Sequence, residues 1–310
     1  MTSFSRRDAI KTAAAIAVPA AMAENSAAQT AAPTAADVSR TRLHRGFVDL
    51  SYGQLHYRAR MPPQSVAPPL LMLHGFPSSA WILQPYVEVL GTRRRTWALD
   101  LPGMGDSSAH PNPTPSLNDL GASVLEAADA LALPLFDLYG TLTGARVAIE
   151  IAIAAPRRVR RLILDEPGGL PHDEAEFLAR YIPDMTPHPL GMHFQTAFSF
   201  CRDAYIWFPW YRRTLAAQRN FEDMPTPATL HGKTMEILKS QQLPAVFASS
   251  IRYNTRARAP LVTVPTLTTD ELASVIPGAR SIKLPRIEAV SATPAQLATR
   301  IAAFTEFLDA

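Results

Sequence analysis

Phe136-Asp137-Leu138-Tyr139-Gly140-Thr141-Leu142-Thr143-Gly144-Ala145 decides the fold. The apolar run before Gly140 is too short for a helix and predicts a buried strand, and the segment Ala145–Ala155 has helical spacing. A strand that turns into a helix over so few residues must bring its backbone close to neighbouring elements, and only the smallest side chains fit there. Gly140 and Gly144 answer that demand. The residue between them, Leu142, is then held in a strained conformation that lifts its side chain above the sheet.

Outward from this turn the same alternation repeats. Pro68–Leu73 and Thr96–Leu99 read as strands buried on both faces, Arg160–Asp165 as the strand after the turn, and Trp81–Leu90 and Leu117–Leu131 as helices, the latter capped near Ser116 or Asn118. Phe47–Leu50 and Leu55–Arg58 flank Ser51-Tyr52-Gly53 and predict an opening antiparallel hairpin. Strict strand–helix alternation implies an α/β fold with a mostly parallel central sheet and helices on both faces. From about 169 to 258 the pattern changes to Trp-, Phe-, Tyr-, Met- and His-rich helices with many prolines, expected to form an inserted helical cap. Strands are expected again at Leu261–Leu267 and Ser281–Leu284, with a closing helix at Pro294–Leu308. The organisation expected is core over 46–168 and 259–310, interrupted by the cap. No internal repeat is visible.

Three motifs in order resemble the α/β-hydrolase superfamily, in particular lidded members such as epoxide hydrolases, haloalkane dehalogenases and related esterases. They are His74-Gly75-Phe76-Pro77-Ser78-Ser79 after a strand, Asp100-Leu101-Pro102-Gly103-Met104-Gly105-Asp106-Ser107, and Gly140-Thr141-Leu142-Thr143-Gly144 at the position of the nucleophile elbow. The resemblance implies the α/β-hydrolase fold from about residue 46 onward. It also implies an oxyanion hole from the backbone N–H groups of Phe76 and Thr143, a backbone-bracing role for His74, and a loop-anchoring Asp100 that can also line the pocket.

Against that template the sequence departs twice. The elbow apex is Leu142, and an alkyl group has no lone pair with which to attack. The loop Leu284–Ser291, where the family places its histidine, contains none; Glu288 is the nearest ionisable residue, read as an exposed loop carboxylate. Thr141 and Thr143 are expected to point away from the pocket. The acid position is open between Asp270 or Glu271 and Asp165 or Glu166. In the cap, Trp207-Phe208-Pro209-Trp210-Tyr211 is expected to supply an apolar roof, with Trp207 and Trp210 lining the pocket. Cys201 reads as a small buried hydrophobe.

Composition narrows the function. The 310 residues carry a formal charge of +3, 47% hydrophobic residues and one cysteine. No basic stripe interleaved with aromatics points to nucleic acid, and one cysteine forms neither an internal disulfide nor a CxxC metal or redox pair. His188, His193 and His231 do not have metal-site spacing, so no metal or other cofactor is expected. Ser5-Arg6-Arg7-Asp8-Ala9-Ile10-Lys11, a moderately apolar stretch over 12–20 and Ala21-Met22-Ala23 resemble a twin-arginine export signal over 1–23, followed by a flexible 24–45 lead-in. The expectation is an exported, periplasmic or secreted protein that engages the twin-arginine machinery and has no transmembrane segment in its mature form. Its partner is expected to be a small, largely apolar molecule bearing a carbonyl or carboxylate, bound without conventional triad hydrolysis. The alternative is an active hydrolase or lyase working through the hole and a non-standard base.

Overall fold

The computed structural model describes residues 42–65, 67–167, 174–219 and 224–310. The export signal and most of the lead-in lie outside the described residues, as does the junction at 168–173.

One eight-stranded sheet organises the chain, in the order β1-β2-β4-β3-β5-β6-β7-β8. Strands β1 (His44–Leu50) and β2 (Gly53–Arg60) form the expected antiparallel hairpin, and β2 runs antiparallel to β4 (Thr96–Leu99). From there the pairing is parallel: β4 with β3 (Leu70–Leu73), β3 with β5 (Phe136–Thr141), β5 with β6 (Val159–Asp165), then β7 (Thr266–Thr268) and β8 (Arg280–Ser281). β3 and β4 are buried at every position, which is why they read as unbroken apolar runs.

Helix α1 (Gln84–Leu90) follows a 3-10 turn at Ala80–Leu83. Helix α2 (Leu117–Ala130) begins at a reciprocal cap in which the Ser116 hydroxyl accepts from the Asp119 N–H while the Asp119 carboxylate accepts from the Ser116 N–H. Helix α3 (Thr143–Ala154) leaves the elbow and is buried along almost its whole length, its apolar face joining one of the two cores that flank the sheet.

Between β6 and β7 the described chain is helical: α4 (Glu174–Arg180), α5 (Met192–Ile206), α6 (Pro227–Leu238), α7 (Leu243–Arg252) and the single turn α8 (Thr255–Arg258). The last helix, α9 (Pro294–Asp309), is capped by Thr293 with Gln296 and packs through Phe304 and Leu308 on the other core.

The strand expected at Leu261–Leu267 begins only at Thr266. Pro265 has no N–H for the ladder and instead offers its carbonyl to the Leu162 N–H at 2.9 Å, while Ala259–Leu261 winds into a 3-10 turn around Pro260. The strand expected over Ser281–Leu284 shrinks to Arg280–Ser281, and the short link before it holds only a 3-10 turn at Glu271–Ser274. No helix among the described residues is long and apolar enough to cross a membrane.

Candidate functional site

The elbow is built as its glycines require. Leu142 has φ 49° and ψ −114°, its N–H donates to the Asp165 carbonyl at 2.9 Å, and its carbonyl accepts from the Arg146 N–H at 3.3 Å. An L-residue with positive φ is strained, and here the strand on one side and the helix on the other hold it there. A Cβ on Gly140 would lie 2.3 Å from the Gly144 carbonyl oxygen. The Leu142 side chain lies over the first loop, since a Cβ on Gly75 would stand 3.0 Å from its Cδ1.

Beside this apex, Phe76 and Thr143 line a cavity of about 730 Å³. Neither backbone N–H has a hydrogen-bond partner among the described residues. Thr143 is the first residue of α3, so its N–H also carries the partial positive charge of a helix start. Such a pair donates to a carbonyl oxygen, a carboxylate or a developing oxyanion.

His74 does not reach the cavity wall. Its Nε2 accepts from the Leu101 N–H at 3.0 Å, which leaves the proton on Nδ1 to donate to the Gly75 carbonyl at 2.8 Å. Burial holds its pKa below the usual histidine range, so it braces the loop as a neutral ring. Asp100 is not on the wall either. Its carboxylate accepts from the N–H groups of Ala80 at 2.6 Å and Asp106 at 2.9 Å and contacts His56 Nδ1 at 2.9 Å. Burial opposes its ionisation, but the His56 contact, the nearby His74 and the Asp106 bond outweigh burial and lower its pKa. His56, Asp100 and Asp106 bring ligand-type atoms within 4.8 Å of one another, yet these bonds and the Asp106–Lys239 pair at 3.0 Å account for that grouping.

The threonines beside the apex depart from expectation, since both line the cavity. The twofold alternation of β5 runs to its last residue, so Thr141 shares a face with Tyr139, another wall residue. Thr143 Oγ1 meets Ser250 Oγ at 2.8 Å rather than a backbone group of the turn. The expected roof is also rearranged. Trp207 and Trp210 are not on the wall: Trp210 Nε1 donates to the Tyr181 carbonyl at 2.7 Å, and Trp207 bridges to Gln218. The aromatic residues that the cap brings to the wall are Tyr181, Phe200, Tyr205, Phe208 and Phe247.

Of the carboxylates, Asp165 is buried in a structural cluster, accepting from Tyr139 Oη at 2.7 Å, Thr269 Oγ1 at 3.0 Å and Arg300 at 2.5 Å. Asp270 caps the 3-10 turn after β7 through the Leu272 N–H at 2.9 Å, away from the cavity. Glu288 was expected as an exposed loop residue. Instead it faces the cavity, where Lys233 Nζ stands 2.7 Å from its Oε1 and the Tyr205 hydroxyl donates to its other oxygen. Burial raises its pKa, but the Lys233 ammonium and the Tyr205 hydroxyl outweigh burial and leave it low, so it is ionised and a weak base. Glu166 also lines the cavity, with positive φ (55°) and an ion pair to Arg286 at 2.6 Å.

Sequence reading missed the cations of this wall: Arg146, Arg219, Lys233 and Arg286. Lys233 had a signal, because it shares the buried face of α6 with Leu230, Thr234 and Ile237. A lysine on an apolar helix face must find a buried anion. Arg146 holds the Ser250 carbonyl at 2.7 Å and the Pro167 carbonyl at 3.3 Å. No motif marks it.

The chain matches the alpha/beta hydrolase family model over residues 70–299. The mouse (lyso)-N-acylphosphatidylethanolamine lipase is 33% identical over 115 residues, which are 36% of this chain and 33% of that protein, so the match spans about a third of that relative's length. The pimeloyl-[acyl-carrier protein] methyl ester esterase of Nitrosomonas europaea is 28% identical over 57% of this chain and 71% of its own. Among solved structures, a hydrolase from Pseudomonas aeruginosa superposes with a TM-score of 0.65 at 23% identity, covering 86% of this chain and 99% of that one. The enol-lactonase from Burkholderia xenovorans gives 0.64 at 19%, covering 86% and 100%. At these identities the structural likeness is one of fold. With the family match over most of the chain, and the elbow and loop geometry above, the chain belongs to the alpha/beta hydrolase family.

Proposed function

We propose that the protein binds a small, largely apolar molecule bearing a carbonyl or carboxylate, without triad hydrolysis. The carrying observation is Leu142, an alkyl side chain at the strained apex, beside two N–H donors with no partner among the described residues. The cavity supports the ligand class. Its wall carries eight aromatic residues, and its cations Arg146, Arg219, Lys233 and Arg286 outnumber the carboxylates Glu166 and Glu288, which favours an anionic or strongly dipolar guest. No histidine lines the cavity among the described residues, so a serine-type relay has no base there.

The test pairs turnover with binding. Purified protein is expected to act on chromogenic short-chain esters, an epoxide and a haloalkane far below the ordinary enzyme range, which begins at a kcat/KM of about 10⁴ M⁻¹s⁻¹. Residual turnover about a thousandfold over water remains compatible with a bare oxyanion site. Small carboxylates and ketones screened by thermal shift are expected to stabilise the fold, by about 2.7 kcal/mol at a hundred times the dissociation constant. Ordinary enzyme efficiency on any of the three substrates overturns the reading.

We also propose that the chain reaches the periplasm or beyond by the twin-arginine route, on the strength of Arg6-Arg7 and Ala21-Met22-Ala23. The secreted form is expected to begin at Glu24, read by N-terminal sequencing, and Arg6→Lys with Arg7→Lys to keep the protein in the cytoplasm. A double variant exported as well as wild type defeats this route.

A further inference from the structure

We propose that Glu166 is a proton acceptor that enolises a ketone or related carbonyl compound whose oxygen lies against the N–H groups of Phe76 and Thr143. The proposal rests on the carbonyl-binding reading of that pair given above. Three observations place Glu166 in the role. It lines the same cavity as the N–H pair and the apex. The pairing of Thr141 with Asp165, and the Leu142 N–H to Asp165 carbonyl bond, set the backbone of Glu166, the residue after β6, beside the apex, so a carbonyl seated at the pair shares its cavity with this carboxylate. Its backbone is held at φ 55°, a value a glutamate adopts only when its surroundings impose it. Here the Glu166 N–H is fixed to Thr269 Oγ1 at 3.0 Å, and that hydroxyl donates to Asp165.

The chemistry balances without any further reagent. The C–H bond next to the carbonyl breaks, its proton passes to a Glu166 oxygen, and the electron pair moves through the new C=C bond onto the carbonyl oxygen. The two N–H groups meet the charge that develops there. Return of the proton to the same carbon, or to a conjugated one, restores the carboxylate. No nucleophile is needed, so an alkyl apex is no obstacle.

The groups facing Glu166 are Arg286 at 2.6 Å and Arg300 at 3.9 Å, with Asp165 and Arg219 also acting on it through space. Burial pushes its pKa up to about 7 against the pull of Arg286, and Asp165 adds to the rise. A carboxyl group that ionises near neutrality is a stronger base than an ordinary glutamate, and it is still available at working pH.

The experiment follows deuterium uptake by proton NMR in D2O, with 4-phenylbutan-2-one and levulinate as probes and the full chain as catalyst. Wild type is expected to accelerate exchange next to the carbonyl, with a rate that rises through about pH 7 as Glu166 ionises. Glu166→Gln is expected to lower that rate at least about a hundredfold, while the same ketone still raises the melting temperature. Glu166→Asp is expected to keep part of the activity. A ketone that stabilises the protein yet exchanges at the buffer rate overturns the proposal, as does a Gln variant that exchanges like wild type. If neither probe stabilises the protein, the carbonyl-binding reading beneath it falls instead. Should the Gln variant fail to melt cooperatively, a flat wild-type profile from about pH 5 to about pH 9 is the overturning result.

Discussion

Arg300→Leu is expected to lower stability by about 3–5 kcal/mol, the cost of breaking a buried ion pair from one side. Arg300 reaches from α9 to the end of β6, where its guanidinium meets Asp165 at 2.5 Å and the Pro285 carbonyl at 2.6 Å, with only 2% of its side chain exposed. Leucine fills part of the space but leaves the Asp165 carboxylate with two hydroxyl donors, Tyr139 and Thr269, and no cation of its own. The pair itself is a different matter, since two desolvated ions recover little beyond their hydration. Arg300→Leu combined with Asp165→Asn is therefore expected to regain most of the loss, and urea unfolding of the four proteins measures the coupling. A single-variant loss below about 1 kcal/mol would mean that water or a neighbour solvates Asp165, against the burial described. The position also bears on the cavity, because Arg300 lies 3.9 Å from Glu166 and its removal loosens the strand end that leads into that residue.

What could be read from the sequence divides along a physical line. Elements fixed by local period and turn chemistry were legible: the buried runs of β3 and β4, the cap of α2 at Ser116, and the closing helix begun by Thr293 and Pro294. The elbow was legible for the same reason, because steric demand at a strand-to-helix turn falls on particular positions and glycine answers it. The cavity wall was not. Most of its aromatic residues, and the cations Arg219 and Lys233, come from the cap segment, whose docking on the core is a long-range matter, so Trp207 and Trp210, dense in sequence, turn to other contacts while Phe247 and Lys233 face inward. Glu288 was misread because a loop glutamate looks solvated until its partner is known, and Lys233 lies 55 residues away. Thr141 was misplaced by reasoning about the turn alone, when the alternation of β5 already assigned its face. The late start of β7 follows from Pro265, a signal present in the sequence but outweighed by the apolar residues around it.

Gly144→Ala is expected to damage both the fold and the binding site, and its contrast with Gly121→Ala tests whether the elbow register is right. A Cβ on Gly144 would lie 2.3 Å from the Leu73 carbonyl oxygen and 2.6 Å from that of His74. Both contacts are backbone, so no rotamer relieves them; either α3 moves off the sheet or the end of β3 moves away from α3. Overpacking in cores costs about 1–3 kcal/mol when side chains can adjust, and a backbone clash is expected at or beyond the top of that range. The second route also displaces the loop that carries the Phe76 N–H, so ligand stabilisation in thermal shift should vanish even in whatever fraction still folds. Gly121 lies within α2, and a Cβ there would come closest to Ile151 Cγ1, at 3.3 Å, a side-chain atom able to give a few tenths of an ångström, with its next neighbours at an ordinary 3.8 Å. Alanine gains up to about 1 kcal/mol over glycine inside a helix, so Gly121→Ala is expected to be near neutral or stabilising. If thermal melts instead show Gly144→Ala as mild as Gly121→Ala, α3 does not press on the end of β3, and Leu142 is not the residue at the apex.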